Sequence, residues 1–376
     1  MSKLCLNPLV LRGLYLLSMA KAALRFYDPR RRTSGRHQDD WYMRTWKEAG
    51  EELGATWTVL DRDTGELELD GQRTRICGSV SEIDSPVTLA ILHDKPLTHR
   101  LLAAEGLPVP RHATFSLKDI APAARFMESL GGDCVVKPAR GTGGGRGITT
   151  GIRTHCQLAR AAAAAAVYAD ALMIEEQVVG DNYRLLYLDG KLIDAFVRRL
   201  PSVKGDGRST VRRLVKLHNE ERLRRGAGLS QVLLTIDLDM RRTLAKQGLS
   251  LRSVPDTGRT VTLKTVVNEN CGDDNSTVTQ ILHRSIVTDC ARAAAALSAR
   301  FVGIDLVMRD PTVSLAESGG VVLEVNGTPN LYYHYHKRDG CQPVAVPLLR
   351  KLLSAGAGDP RVATTVSVVD PATVSG

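Results

Sequence analysis

Apolar residues fall at helical spacing along Trp41, Met43, Trp46, Ala49 and Leu53, which predicts an amphipathic helix there. Residues 9–24 are more apolar but are broken by Arg12 and Lys21. That run is too interrupted for a membrane span, and it lacks a clean signal-peptide core and a cleavage site. It predicts an amphipathic helix of a soluble protein, with a peripheral membrane anchor as the alternative. Short apolar or alternating runs predict strands over 56–60, 75–80, 133–138, 172–178, 184–188 and 191–198. The hairpin signal Asp189–Gly190 joins the last two. Two further strands, 301–308 and 321–325, are apolar almost throughout. Helices are expected over 95–105, closed by Gly106, and over the alanine-rich stretches 154–168 and 288–300. Ser209 is placed as the N-cap of a helix with Val211, Leu214 and Val215 on one face.

Strands interleaved with helices make this an α/β (α+β) chain, and 376 residues suit two or three domains. The expected units are 1–90, 91–190 with a glycine-rich loop, 191–353, and a small, polar, mobile tail over 354–376. In the first unit Arg30, Arg31, Arg32 and Arg36 surround Asp28, Pro29 and Gly35. They read as a solvated basic loop rather than an anion-gathering collar.

Composition narrows the function classes. Hydrophobic residues at 43% and charged residues at 24% exclude global disorder. Aromatics at 5% disfavour a stacking reader of single-stranded nucleic acid. A net charge of +9 suits anionic small molecules without demanding nucleic acid. The cysteines at 5, 77, 134, 156, 271, 290 and 341 are odd in number and form no CxxC pair. They argue against a disulfide framework or structural zinc, read as packing residues, and fit a reducing cytoplasm. The expectation is a cytoplasmic protein with small-molecule partners, no nucleic acid and no membrane span; a homo-oligomer is compatible with it.

Three stretches carry chemistry. VVKPARGTGGGRG puts a glycine-rich loop directly after a strand ending in Lys137 and Pro138. Its backbone N–H groups suit a phosphate, although the loop alone reads equally as a flexible connector; Lys137 would add a point charge from a rigid element and favours the phosphate. Neither a Walker A loop nor GxGxxG can be laid on it. Asp305 in GIDLV, with Glu324 and Asn326 in VVLEVN, forms the second stretch. Residues two apart on a strand share a face, so Glu324 and Asn326 project together. With Asp305 they offer hard oxygen donors suited to Mg²⁺, the alternative being carboxylates at exposed strand ends. Glu175, Gln177 and Val178 sit where a strand end could meet an adenine edge, although an exposed acidic turn explains them as well. Arg184, Arg199 and Lys264 lie in or beside strands and could surround a triphosphate.

In order and spacing, DKPLTHRLLAAEGLPVP, VVKPARGTGGGRG, IEEQVVGDNYRLLYLDGKL, GDGRSTVRRLV, GIDLV and VVLEVNGTP resemble an ATP-grasp ligase. More narrowly they resemble the ATP-grasp part of cyanophycin synthetase, without its Mur-ligase-like domain. The resemblance runs from Asp94 to His336. It implies an ATP-grasp fold in which two α/β subdomains clasp ATP beneath the glycine loop, after a small N-terminal α/β unit. It implies Mg²⁺, or Mn²⁺ in its place, at Asp305, Glu324 and Asn326. Lys95, Lys137, Gly143, Gly144, Gly145, Gly147 and Arg184 match nucleotide- or phosphate-contacting positions. Glu175, Gln177 and Val178 match the adenine side, and Asn182 falls where the ribose-contacting acid is expected. Arg199, Lys264 and Asn268 match catalytic positions near the transferred phosphate. The implied reaction joins a carboxylate to an amine through an acylphosphate, releasing ADP and phosphate. The alternatives are a small-molecule kinase and a nucleotide-binding module without turnover. The aromatic loop at Tyr332, Tyr333 and Tyr335 departs from the pattern, so the substrates do not carry over. His334 and His336 read as satisfied structural histidines, with a base for the amine or a lining of the acceptor pocket as the alternative.

Overall fold

The computed structural model describes residues 5–26, 29–141, 145–224 and 233–354. Gly143, Gly144 and the expected tail beyond Ser354 lie outside them. The chain opens with helix α1 (Pro8–Phe26) and helix α2 (Pro29–Leu53). The arginine run expected as a loop is the start of α2. Pro29 suits a first helical turn and arginine is a good helix former, so the apparent punctuation opens the helix. Trp41, Tyr42, Trp46 and Ala49 of α2 are buried. An antiparallel meander follows: β1 (Thr56–Val59), β2 (Thr64–Leu69), β3 (Gln72–Cys77) and β4 (Val80–Ser81). The strand β2 was not anticipated.

Helices α3 (Pro86–Leu92) and α4 (Lys95–Ala104) lead to a second sheet. The Asp94 carboxylate caps α4, accepting the Leu97 N–H at 3.1 Å. The chain continues as β5 (His112–Ser116), α5 (Ala121–Leu130), β6 (Cys134–Pro138), β7 (Thr149–Ile152), α6 (His155–Ala165) and β8 (Ala171–Glu176). The sheet order is β5-β8-β6-β7, antiparallel throughout. Its apolar face, with Cys134, Val136, Leu172 and Ile174, packs under α5 and α6. One cysteine expectation is corrected here: Cys5 and Cys156 form a disulfide, with Cα atoms 5.1 Å apart. The two lie 151 residues apart and meet because α1 packs along α6, which no spacing rule reveals.

The remaining elements are β9 (Asp181–Leu188), β10 (Lys191–Arg198), β11 (Ser202–Lys204), α7 (Val211–Arg224), α8 (Leu238–Lys246), β12 (Thr260–Thr262), β13 (Ser276–Thr277), α9 (Arg284–Ala296), β14 (Phe301–Met308), α10 (Leu315–Ser318), β15 (Val321–Asn326), α11 (Tyr332–Tyr335) and α12 (Ala345–Ser354). A five-stranded antiparallel sheet runs β13-β10-β9-β14-β15. Because the β9–β10 hairpin lies inside it, the sheets divide between Glu176 and Asp181 rather than at 190. Leu185, Tyr187, Ala195, Ile304 and Leu306 form one core with α9 residues Ile286, Cys290 and Ala293. Leu186, Leu188, Phe196 and Phe301 form another with Trp46, Tyr332 and Leu349. The short pair β11-β12 packs with α7 and α8 around Val211, Leu214, Met240 and Leu244. Helix α7 is capped by Thr210, which accepts the Arg213 N–H at 3.3 Å; Ser209 instead donates its N–H to Asp206. Among the described residues no helix is long and apolar enough to cross a membrane.

Candidate active site

Strand pairing decides which side chains meet. In the second sheet Val135 lies opposite Glu175 and Lys137 opposite Met173, which puts Lys137, Glu175 and His112 on the face away from α5 and α6. Lys137 Nζ is 2.7 Å from Glu175 Oε1, and the two side chains are 5% and 3% exposed. Burial pushes the Glu175 carboxyl up, with Lys137 opposing it. Glu175 Oε2 is buried without a partner, an acceptor left for something not of the protein.

Helix α4 bridges the two sheets. Lys95, in its first turn, places Nζ 3.1 Å from Glu324 Oε1 on β15. One turn on, His99 Nε2 donates to the Leu323 carbonyl at 3.0 Å. Burial, then the nearby Lys137 charge, lowers the His99 pKa to about 3, so the ring is neutral near pH 7.

On the five-stranded sheet Arg184 lies opposite Asp305 on one side and Phe196 on the other, while Asn182 lies opposite Arg198. Asp305, Arg184 and Arg198 therefore share a face. Arg184 forks onto Asp305, with Nε at 2.5 Å from Oδ1 and Nη2 at 2.8 Å from Oδ2. The guanidinium passes so close to Gly303 that a Cβ there would lie 2.8 Å from Nη1, so a side chain at 303 would push the guanidinium off its fork. Arg198 Nη1 is 3.8 Å from Asp305 Oδ2, and its guanidinium lies 5.6 Å above the Tyr333 ring. Asn326 Nδ2 donates to Asp305 Oδ2 at 3.2 Å. Burial pushes Asp305 up, but Arg184 and Arg198 outweigh it and hold the carboxyl below its ordinary range. Burial lowers Arg198, whose Nε finds no partner.

Of the expected metal ligands, Asp305 and Glu324 are directly opposite on β14 and β15, and Asn326 sits two pairs further along, on the same face, opposite Gly303. Sequence alternation thus placed all three on one face. Two carboxylates and an amide are hard oxygen donors, and Mg²⁺ commonly takes one or two carboxylates and completes its shell with phosphate and water oxygens. No group of three His, Cys, Asp or Glu side chains gathers among the described residues, so the chain builds no cage of its own. The donor set fits a metal shared with a phosphate.

The other expected residues divide. Gly145 and Gly147 follow the undescribed part of the loop, both at positive φ. Gln177 Oε1 accepts the Gly151 N–H at 2.7 Å, tying the strand end to β7 beyond the loop, and Val178 is half-buried beside it. Asn182 faces the site side of β9. Lys264, 4% exposed, is held between Asp237 at 2.6 Å and Glu269 at 3.0 Å. Its backbone neighbourhood leads to a short turn, Val267–Glu269, whose Val267 carbonyl accepts from Arg198 at 3.3 Å. Asn268 lies in that turn; its side chain is outside the described residues. Arg199 is not brought to the cluster. It is 55% exposed and pairs with Asp181 at 3.3 Å. The residue that reaches Asp305 is its neighbour Arg198. His99 was also missed, although its i+4 spacing from Lys95 was a readable signal. His334 is fully buried with Nδ1 2.7 Å from Asp194, while its Nε2 finds no partner.

A buried tie joins the loop's return strand to the Lys264 segment. Asp239 Oδ1 accepts from Thr150 Oγ1 and from Thr265 Oγ1, both at 2.9 Å, and Oδ2 accepts the Thr265 N–H at 3.0 Å. Beside it a cleft of 510 Å³ is lined by Asp133, Gly151, Arg153, Gln157, Arg242 and Lys246. It lies behind β7 rather than at Asp305 and Glu324, and its cations already pair with Asp133 and the carbonyls of β7.

No family model matches the chain. It is 32% identical over 299 residues to a cyanophycin synthetase of Nostoc sp., covering 78% of this chain and 32% of that protein. It is 30% identical over 282 residues to the glutathione biosynthesis bifunctional protein GshAB of Streptococcus mutans, covering 73% of this chain and 37% of that protein. The chain thus spans about a third of the length of the curated relatives it matches. The solved bifunctional glutathione synthetase of Pasteurella multocida superposes with a TM-score of 0.51 at 21% identity, covering 80% of this chain and 41% of that one. That likeness shows the fold.

Proposed function

We propose that the chain is an ATP-grasp enzyme, an ATP-dependent ligase joining a carboxylate to an amine, a reading supported by its likeness to the cyanophycin synthetase and by the shared fold. One observation carries the reading. Buried Lys137 and Glu175 on one sheet, and Asp305, Glu324, Arg184 and Arg198 on the other, are joined through Lys95 and His99 of one helix. Such a concentration of buried, only mutually satisfied charge suits a polyanion that takes over the pairings.

In this reading the nucleotide lies between the sheets. The free Glu175 oxygen accepts from the adenine amino group, and Asn182 bonds the ribose. The loop's described end, Gly145 and Gly147, lies over the phosphates and shields them from water, whereas Gly143 and Gly144 are outside the described residues. Lys95 and Lys137 neutralise phosphate oxygens. Asp305, Glu324 and Asn326 would hold Mg²⁺, or Mn²⁺, which supplies charge neutralisation at the transferred phosphoryl group. The carboxylate substrate attacks the γ-phosphorus, giving an acylphosphate and ADP; the amine then displaces phosphate and an amide forms. Arg198, with its unpaired Nε, faces the charge that develops in both steps, while Lys264, held by Asp237 and Glu269, anchors the segment whose Val267 carbonyl accepts from Arg198. Catalysis on this account is positioning and electrostatics, with no covalent enzyme intermediate.

The substrates are proposed as a small acid and an amino acid or short peptide, in line with the names of the relatives. The domain units are proposed as 1–90, 91–190 and 191–353, with the sheets themselves dividing between Glu176 and Asp181. A cytoplasmic setting rests on the use of ATP; the Cys5–Cys156 bond argues for an oxidising one, and mass spectrometry of thiol-blocked extracts decides between them. The function is tested by screening paired acids and amines for ADP release, followed by product mass spectrometry. ADP formed together with an amide supports the proposal. A stable phosphoester, or ATP binding with no ADP across the screen, overturns it.

A further inference from the structure

Helix α1 has two apolar faces, and only one is used. Leu11 is buried and Leu14 half-buried in the core shared with α6, and the Cys5–Cys156 bond fastens that side. On a helix turning 100° per residue, Leu9, Gly13, Leu16, Leu17, Ala20 and Leu24 fall together on the opposite side. There Leu9 is 79% exposed, Leu16 59%, Leu17 53% and Leu24 78%. This is a continuous stripe, unlike the single exposed apolar residues common on any surface. Exposed Arg12 and Lys21 flank it on its two sides, and α1 contains no acidic residue.

We propose that this stripe docks on an anionic lipid surface, so that α1 lies in the interface plane and the rest of the protein hangs from it. Charge chooses the occupant. A stripe of leucines edged by cations matches the boundary between acyl chains and anionic headgroups. A second copy docked through the same stripe would instead bring Arg12 and Lys21 of one helix against those of the other, with no acid in α1 to offset them. The disulfide and the packing on α6 fix α1 to the body, so docking needs no helix to fold on the surface.

The test uses the full chain in flotation with vesicles of equal parts phosphatidylcholine and phosphatidylglycerol, beside vesicles of phosphatidylcholine alone. The expected result is at least about tenfold stronger partition to the anionic vesicles, weakening as salt is raised. Leu16→Gln with Leu24→Gln, and separately Arg12→Ser with Lys21→Ser, each lower partition about tenfold and leave the melting temperature unchanged. Equal, absent or variant-insensitive vesicle binding overturns the proposal. So does a concentration-dependent dimer in sedimentation that Leu16→Gln with Leu24→Gln dissolves, because it assigns the stripe to a second copy.

Discussion

The two faces of the five-stranded sheet use the same strands and each packs an apolar core, but only one also carries a cluster of buried charge. On one, Leu185, Ala195, Ile304 and Leu306 pack in a core without ionised groups. On the other, one residue away along each strand, Arg184, Arg198, Asp305 and Asn326 hold one another at hydrogen-bond or ion-pair distance, nearly as deeply buried. Burying ions costs several kcal/mol each, and apolar replacements of similar volume are often as stable. Both faces hold the fold together, the second through the apolar core of Leu186, Leu188, Phe196 and Phe301. The charged cluster further along that second face is tolerated by the fold and is the place where chemistry is done. Substitutions on the two faces should separate accordingly.

The largest effect is expected from Glu324→Gln. It removes a charge but keeps the shape opposite Asp305, and should lower ADP release by roughly a thousandfold while the urea midpoint stays near wild type. Next comes the adjacent pair on and just after β10. Arg198→Ala should cost about a hundredfold in kcat, whereas Arg199→Ala, exposed and paired with Asp181, should change it less than about threefold. Comparable losses in both would erase the distinction between the faces. On stability, Arg184→Met strands Asp305 and should cost about 3–5 kcal/mol in equilibrium unfolding. Ile304→Val on the opposite face should cost about 1 kcal/mol and leave kcat per folded molecule intact.

The pH dependence sharpens the same contrast. His99 titrates near 3 when folded, below its ordinary 6.5. Between those values the unfolded chain binds the extra proton, so this group's contribution to stability is full above 6.5 and falls as pH drops toward 3. Urea unfolding of His99→Gln, which keeps a donor for the Leu323 carbonyl, should show a shallower decline in that window, by up to about 1.4 kcal/mol per pH unit. An unchanged slope would mean that another group carries the acid sensitivity.

Much of the site was legible because buried carboxylates in apolar strands advertise themselves. Asp305 in GIDLV and Glu324 in VVLEV had to find cations, and they did. The phase of β10 was not legible. Counted from the Asp189–Gly190 turn without interruption, alternation puts Arg199 on the Asp305 face. A bulge between Leu192 and Asp194 shifts the count by one and delivers Arg198 instead. Nothing in a single sequence announces such an extra residue. The start of α2 was hidden for a different reason, since Pro29 and Gly35 look like loop punctuation unless the buried Trp41 and Trp46 downstream fix the helix. The Cys5–Cys156 contact is tertiary, and local pattern does not encode it.

The central claim is that a nucleoside triphosphate occupies the polar face between the two sheets. Calorimetric titration of a non-hydrolysable ATP analogue with Mg²⁺ tests it on the wild-type chain and on Lys137→Met, which removes the buried ammonium beside Glu175. Saturable binding by the wild type, weakened at least about tenfold in the variant, is the predicted result. Equal affinity in the two proteins, or no binding by the wild type, would contradict the account.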